Sequence, residues 1–419
     1  MKPQRSCCAL ALAVLSMMLF AAADWPQFLG PKGASVADEK GLPVAWSATQ
    51  NVVWKTPLPG FGGSSPIVLG DKIFVTAYSG YGQGEDGGGR QEDLVRHLLC
   101  VDAAGGKILG DKGLKTLLPE QAYGGYLAQH GYASSTPVTD GKSLYVFFGR
   151  SGVYAFSLAG EELWRAEVGT KVHQWGSATS PLLAGDLVII NAGVESGAVV
   201  ALNKATGKEV WRAEGIKQSW STPALLELPD GKQELVVSLQ GKVLGLDPAT
   251  GQQLWTCAGV PDYVCPAVLT HAEVAYVTAG RKNMMLAIRG GGRGDVTKSH
   301  KLWESNKGSK VPTPLYHEGL LFWLADPGVA YCVKAESGEV VYEQRLGGFG
   351  QTYASLLLAE GRLYGVSRNK GAIVLAVGPE FKELARNDLG DSSIFNATPV
   401  PCHGRLLLRS DTCLYCIGK

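Results

Sequence analysis

A repeated phrase constrains the fold of this 419-residue chain more than any other feature of its sequence. Each copy opens with a short apolar run after Ser/Thr-Pro, passes through Gly turns and β-rich runs, and closes on an aromatic strand. The opening positions are Pro66, Pro137, Pro181, Pro223, Pro266, Pro314, Leu356 and Pro399. They lie 42 to 48 residues apart, except for a first interval of 71. This period is typical of the four-stranded blades of a β-propeller.

Each copy divides into four short strands, as the second copy illustrates with 137–139, 144–148, 153–156 and 162–166. Val, Tyr, Phe and Trp fill these runs, and Gly or Asp separates them, which is the composition of strands and tight turns. The chain has 55 Gly and only 18% charged residues, which argues against disordered and coiled-coil proteins. The sequence therefore predicts an all-β, eight-bladed propeller of four-stranded antiparallel blades.

The two ends of the chain complement each other. The eighth copy stops before its fourth strand, and an unassigned aromatic strand stands at 52–55. Pairing the two closes the ring and removes the free sheet edges; seven copies with unrelated ends is the alternative. The predicted organisation is a signal peptide at 1–23, an N-terminal extension at 24–51 and the propeller at 52–419.

The first 23 residues resemble a secretory signal peptide. Lys2 and Arg5 precede an apolar run at 9–20, and small residues follow at 21–23. The run is too short to span a bilayer, so we expect an exported, periplasmic or secreted protein without a transmembrane segment in the mature chain. We expect no lipid anchor, because no cysteine stands at the cleavage point.

Charge and cysteine usage narrow the possible partners. With 39 Lys and Arg against 38 Asp and Glu, the chain lacks the basic surplus of nucleic-acid-binding proteins. Cys413 and Cys416 have the spacing of half a metal motif, but residues three apart on a strand face opposite ways, and no metal site is predicted. Cys257 and Cys265 flank one connection between blades and are the pair to test as a disulfide.

A tryptophan recurs near the end of the fourth strand, and we interpret it as a packing element between blades that donates its indole N–H to the neighbouring blade. This structural tryptophan position holds Trp54, Trp164, Trp211, Trp255 and Trp303. The third strand has a matching position for a small residue, occupied by Cys100, Ala155, Ala201, Gly245, Ala287, Cys332, Ala376 and Cys416.

The phrase at 246–255, Leu-Asp-Pro-Ala-Thr-Gly-x-x-x-Trp, and the segment Trp25-Pro26-Gln27-Phe28-Leu29-Gly30-Pro31 resemble the PQQ-like β-propeller repeat family. The resemblance covers nearly all of the mature chain and implies one of two activities. One branch comprises dehydrogenases that bind pyrroloquinoline quinone (PQQ) and Ca²⁺ on the propeller axis. The other comprises non-enzymatic scaffolds similar to BamB, the outer-membrane assembly lipoprotein.

The sequence favours the scaffold branch. The dehydrogenases carry an adjacent cysteine pair over the quinone, and here the adjacent pair Cys7 and Cys8 lies in the signal peptide. No acidic cluster maps onto their calcium position. We therefore predict no cofactor, with PQQ and Ca²⁺ as the alternative, and leave open whether the protein is an enzyme.

Ligands or partners of propellers meet the loops around the axis, namely those before the first strands and those between the second and third strands. Polar and aromatic side chains recur there, and basic ones join them. The candidate axial residues are His130, Tyr132, His173, Gln174, Trp175, Gln218, Trp220, Tyr263, Gln351, Tyr353, Asn396, Arg150, Arg281, Arg368 and Arg409. They would suit a planar acidic ligand, a sugar-like ligand or an extended peptide; alternatively, the channel mouth holds only water and the aromatic side chains support the loops.

The sequence thus predicts an exported, monomeric, non-enzymatic binding scaffold for a protein partner or a small ligand. A PQQ-dependent alcohol or sugar dehydrogenase with an atypical site is the alternative function. No residue is assigned a catalytic role.

Overall fold

The computed structural model of the protein describes residues 24–83 and 87–419. The predicted signal peptide at 1–23 lies outside these described residues. Eight small sheets, each built on four antiparallel strands, form the propeller, so the predicted fold class is confirmed. Within the described residues, no helix is long and apolar enough to cross a membrane.

The first four blades run from the inner strand to the outer strand in chain order. Blade 1 contains Ile67–Leu69, Lys72–Ser79, Val95–Asp102 and Ile108–Lys115. Blade 2 contains Val138–Thr139, Ser143–Phe147, Val153–Ser157 and Glu162–Ala166. Blade 3 contains Leu182–Ala184, Leu187–Ala192, Ala198–Asn203 and Glu209–Glu214. Blade 4 contains Ala224–Glu227, Gln233–Leu239, Lys242–Leu246 and Gln253–Ala258.

The remaining blades repeat the order, except that the last takes its outer strand from the N-terminal part of the chain. Blade 5 contains Leu269–His271, Val274–Ala279, Met284–Arg289 and Lys301–Ser305. Blade 6 contains Leu315–His317, Leu320–Ala325, Val329–Lys334 and Val340–Arg345. Blade 7 contains Leu357–Ala359, Arg362–Val366, Ala372–Ala376 and Glu383–Asn387. Blade 8 contains Val400–Cys402, Arg405–Arg409, Cys413–Ile417 and Val52–Pro57.

Short elements decorate the blades. Val36–Ala37 adds a parallel strand to the inner edge of blade 7, and Gly294–Asp295 adds one to the outer edge of blade 4. Tyr81–Gln83 pairs with Gly88–Gly89 in a small hairpin beyond blade 1. Single 3₁₀ turns occupy Gln91–Asp93, Leu127–Gln129 and Gly149–Ser151.

Ring closure is confirmed. Val52–Pro57 pairs antiparallel with Cys413–Ile417 and supplies the fourth strand that blade 8 otherwise lacks. The apolar core lies between neighbouring blades; for example, Tyr145 and Phe147 of blade 2 pack with Val188 and Ile190 of blade 3 in one buried cluster. Each blade therefore buries its faces on its neighbours, as a repeat architecture requires.

Four of the five recurrent tryptophans donate their indole N–H to the next blade. Trp211 lies opposite Ala201 beside a β-bulge, and its Nε1 donates to the Pro248 carbonyl of the next blade at 3.1 Å. Trp54, Trp164 and Trp303 donate in the same way to Ala103, Lys204 and Ala335. The small residue of blade 7 is an exception to the prediction. Val374, not Ala376, lies beside the bulge there, opposite Ala385.

Trp255 differs from the other tryptophans. Its Nε1 donates to Glu234 Oε2 of its own blade at 2.6 Å, because the next blade has a long connection at 290–300 in place of a tight turn. Glu234 is 1% exposed and also accepts the Gly291 N–H. A Cβ on Gly245 would lie 2.0 Å from the Trp255 ring, so only glycine leaves room for the turned indole.

The seven cysteines of the described residues are free thiols, so the pairing considered for Cys257 and Cys265 is not present. Cys257 is buried, and its Sγ donates to the Ala258 carbonyl. Burial raises the pKa of Cys265 to about 12, which keeps this thiol protonated and poorly nucleophilic. Cys413 and Cys416 are buried in blade 8 and belong to no metal-binding group within the described residues.

Candidate functional site

A belt of hydroxyl groups surrounds the propeller axis where the inner strands begin. In seven of the eight blades, the side-chain oxygen of a Ser or Thr accepts the backbone N–H of the residue at the equivalent position in the preceding blade, at 2.9 to 3.1 Å. The belt residues are Ser65, Thr136, Ser180, Thr222, Thr313, Ser355 and Thr398. Blade 5 interrupts the belt, because Ala267 stands where the others have a hydroxyl group. The recurring Ser/Thr-Pro phrase of the sequence is the signal of this belt, although its role in joining blades was not predicted.

The belt forms the floor of a cavity of about 580 Å³ at the upper end of the axis. The connections between blades and two loops within blades supply its walls. Among the predicted residues, the ones that line it are His130, Trp175, Trp220, Tyr263, Gln351, Tyr353, Asn396 and Arg281. The structure thus brings together eight side chains from the loops in which the sequence placed them.

The connection between blades 1 and 2 extends over this cavity. Its 3₁₀ turn at Leu127–Gln129 reaches the opposite side of the ring, where Arg368 Nη1 donates to Gln129 Oε1 at 2.6 Å and Nη2 to the Gln129 carbonyl at 2.9 Å. The same guanidinium donates to Asn396 Oδ1 and lies 4.3 Å over the Tyr353 ring. Arg368 is 7% exposed and does not line the cavity, so it braces the rim and does not offer a free cation.

Two predicted histidines hold loops in place. His130 Nδ1 bonds Ser134 Oγ at 2.5 Å and its Nε2 bonds the Trp175 carbonyl at 2.7 Å, which leaves neither nitrogen for a ligand. Burial lowers the pKa of His130, so the ring is neutral near pH 7. His173 packs edge-on against Trp220 with ring centroids 4.9 Å apart and lies outside the cavity lining.

Several predicted axial residues lie away from the cavity. Tyr132 is buried in a cluster beside blade 1, and its hydroxyl donates to the Gln121 carbonyl. Gln174 and Gln218 are exposed and outside the lining. These positions follow from local turns: Gln218, for example, has a φ of 47°, and its carbonyl accepts the Val264 N–H.

Two predicted basic residues are also structural. Arg150 joins the connections on either side of blade 2 by donating to the Leu118 and Thr170 carbonyls. Arg409 is 1% exposed and donates to Ser64 and to the Thr76 carbonyl across the junction of blades 8 and 1. Burial lowers the pKa of Arg409 to about 9. Neither residue lines the axial cavity.

The cavity also contains residues that the sequence reasoning missed. Tyr126 is 63% exposed, and its ring packs 5.0 Å from that of Trp175. Gln129, Lys310 and the ring of Phe28 line the cavity as well. Only Phe28 carried a sequence signal, as part of the Trp25–Pro31 segment; the others stand in connections that differ from blade to blade.

Three buried polar atoms in the cavity wall have no hydrogen-bond partner in the described structure. They are Trp175 Nε1, Thr352 Oγ1 and Asp326 Oδ1. Thr352 is fully buried. Because an unpaired buried polar group is costly, such atoms mark places where a bound molecule would gain hydrogen bonds.

The cavity does not suit a quinone held with calcium. Calcium takes six to eight oxygen ligands, several of them carboxylates, and Asp326 is the only carboxylate among the described lining residues. The amide oxygens of Gln129, Gln351 and Asn396 already accept from Arg368. Within the described residues, no three His, Cys, Asp or Glu side chains form a metal-binding group.

A hydrogen-bonded chain of Ser79, His97 and Asp111 lies elsewhere, on one face of blade 1. Ser79 Oγ is 2.8 Å from His97 Nε2, and His97 Nδ1 is 2.8 Å from Asp111 Oδ1. None of the three residues lines the axial cavity. The chain therefore joins three neighbouring strands and is no part of the axial site.

The comparisons with known proteins agree with this fold. The family model described as outer membrane protein assembly factor BamB matches residues 96–258 and 294–378. BamB from Moraxella catarrhalis is similar with a TM-score of 0.61 and 13% identity, over 87% of this chain and 96% of that one. The computationally designed Ika8 protein is similar with a TM-score of 0.60 and 12% identity, over 91% and 100%. A europium-containing methanol dehydrogenase is similar with a TM-score of 0.51 and 13% identity, over 85% and 90%.

At these identities, the structural similarities show a shared fold. No curated protein matches the sequence.

Proposed function

The chain belongs to the family described as outer membrane protein assembly factor BamB, and we propose that it is an exported, non-enzymatic propeller scaffold that binds a protein partner or ligand on its axial loop face. The periplasm or the exterior is its proposed location, on the strength of the signal-like segment at 1–23. It acts as a single copy in this proposal.

The observation that carries the proposal is the placement of exposed apolar side chains. Most of them recur once per blade on the outer strands, at Val53, Leu109, Leu163, Val210, Leu302, Val340 and Leu384. Val36, in the short strand beside blade 7, departs from this period. The other three departures are Leu118, Tyr126 and Val172, which are 37%, 63% and 38% exposed. All three lie in the connections on either side of blade 2, and we call them the rim patch.

The rim patch is held in a fixed shape. Arg150 ties its two connections together, and Tyr126 packs on Trp175. Arg368 fixes the end of the first connection from across the ring. A preorganised surface loses little conformational entropy on binding, and exposed aromatic side chains are frequent anchors of protein interfaces.

The test is partner capture from an envelope extract by the purified protein. The double variant Tyr126→Ala and Val172→Asp should lose at least about 90% of a captured partner, since loss of a central aromatic anchor typically costs 2 kcal/mol or more. Leu163→Asp is the matched control, because Leu163 is 53% exposed on an outer strand. Equal capture by both variants would contradict the proposal.

The alternative, a PQQ-dependent oxidoreductase, has less support, because the axial oxygens do not suit calcium. Addition of PQQ and Ca²⁺ to the purified protein tests it directly. Quinone absorbance together with dye reduction by alcohols or sugars would replace the scaffold proposal.

A further inference from the structure

The belt presents hydrogen-bond donors to the cavity. Each belt hydroxyl oxygen accepts a backbone N–H, and among the described residues none of the seven donates to a protein acceptor. Because a hydroxyl has one proton to donate, the seven O–H groups are available to a molecule in the cavity. A floor of donors suits an anionic oxygen, such as that of a carboxylate.

The charges on the wall favour the same sign of ligand. Arg281 and Lys310 line the cavity, against the single carboxylate of Asp326. Arg281 Nη1 forms an ion pair with Asp262 Oδ1 at 3.2 Å, whereas Lys310 makes no ion pair within the described residues. His130 is neutral, so it adds no charge. Lys310 is therefore the lining cation that remains available to an anion.

The unpartnered wall atoms call for further polar groups on the ligand. Asp326 Oδ1 is an acceptor without a partner in the described structure, and Trp175 Nε1 and Thr352 Oγ1 are donors without one, which would suit the hydroxyl and ether oxygens of a ligand. Tyr263 and Tyr353 line the same cavity and provide flat ring surfaces. A cavity of about 580 Å³ is within the ordinary size range for small-molecule sites.

We propose that the axial cavity binds a sugar acid, a hydroxylated ring that carries a carboxylate. The carboxylate meets the belt hydroxyls, a ring hydroxyl donates to Asp326, and the apolar face of the ring lies on the tyrosines. This inference rests on the proposed binding function of the axial face and names the chemistry of its ligand.

Isothermal titration of the purified protein with sodium D-glucuronate, and separately with D-glucose, tests the inference. Glucuronate should bind at least about tenfold more tightly than glucose, because charge-assisted hydrogen bonds are roughly twice as strong as neutral ones. Lys310→Met and Thr352→Val should each weaken glucuronate binding about three- to tenfold. Thr352 Oγ1 makes no hydrogen bond within the described residues, so Thr352→Val should fold normally.

Thr116→Val is the matched control. Thr116 is 6% exposed with an unpartnered Oγ1, as Thr352 is, but it lies outside the cavity. Glucuronate affinity that is unchanged in Thr116→Val and reduced in Thr352→Val supports the inference. Equal binding of glucose and glucuronate, binding of neither, or equal effects of the two valine variants would overturn it. Capture of a partner through the rim patch without sugar-acid binding would leave the proposed function in place and reject only this ligand.

Discussion

At the scale of single residues, a carboxyl group buried between blades 2 and 3 links stability to pH. Glu195 is 2% exposed, and its one side-chain partner is the hydroxyl of Ser177. Burial raises the pKa of Glu195 to about 7. The folded protein therefore holds a proton that the unfolded chain releases near pH 4.5, and stability falls as the pH rises from about 4.5 to about 7.

Replacing this carboxyl should flatten the pH dependence. We expect Glu195→Gln to raise the free energy of unfolding at pH 8 by up to ~3 kcal/mol and to change it little at pH 4.5, because one pKa unit corresponds to ~1.4 kcal/mol. Urea unfolding at the two pH values measures the difference. Glu162→Gln, at an exposed outer-strand position, is the control. The same pH slope in both variants would contradict the assignment.

Individual site residues were predictable only in part. The repeat places Arg368 and Arg409 in loops near the axis, and from the sequence alone we predicted that both would offer a positive charge to a ligand. Their partners are Gln129 and Ser64, which stand 239 and 345 positions away in the chain. Contacts of this range depend on how the ring closes, and spacing within one repeat carries no information about them.

At the scale of elements, the hydroxyl belt joins the inner strands and has one gap. Thr222 and Ala267 lie side by side, and Ala267 has no side-chain hydroxyl to accept the Thr222 N–H. Every other junction has this bond at 2.9 to 3.1 Å. The junction between blades 4 and 5 is therefore the least tightly joined part of the belt.

Completing the belt should stabilise the protein. We expect Ala267→Ser to raise the free energy of unfolding by about 1 kcal/mol, the net value of a hydrogen bond. Ala178→Ser adds a hydroxyl that faces the same cavity outside the belt and is the control. Chemical denaturation of both variants makes the comparison, and an equal or smaller gain for Ala267→Ser would show that the belt bond is not formed.

The tryptophan elements show where a pattern stops being informative. Period and spacing predicted that each tryptophan would donate its indole N–H to the neighbouring blade, and Trp54, Trp164, Trp211 and Trp303 have such a bond. The different partner of Trp255 depends on Glu234, which lies in another strand, and on the long connection at 290–300 that displaces the usual turn. The sequence showed this connection and Gly245, but not that the indole would turn toward its own blade.

At the scale of the whole molecule, the N-terminal extension enters the lower mouth of the ring. Trp25 pairs with Val68 of blade 1, Pro26 accepts the Thr139 N–H of blade 2, and Ser35 accepts the Leu358 N–H of blade 7. The repeat predicted the closed ring but not this path, because the extension lies outside the repeated phrase. The path brings Phe28 to the axis.

Phe28 separates two axial cavities. It lines both the upper cavity of about 580 Å³ and a lower one of about 500 Å³, together with Thr222 and Ala267 at the belt. We predict that the Phe28 ring closes the upper cavity from below. With the floor closed in this way, the axial site would be a pocket with one mouth, on the side of the rim patch.

Removing this ring should turn the pocket into a channel. We expect a crystal structure of Phe28→Ala to show continuous solvent between the two cavities, with the free energy of unfolding lower by about 1–3 kcal/mol, since the side chain is only partly buried. Phe28→Leu is the control, because leucine retains most of the volume and should keep the cavities apart. Trp25 anchors the segment to blade 1, so its path should persist in both variants. Cavities that stay separate in Phe28→Ala would mean that the belt itself closes the axis, and the mouth at the rim patch would then not depend on the N-terminal segment.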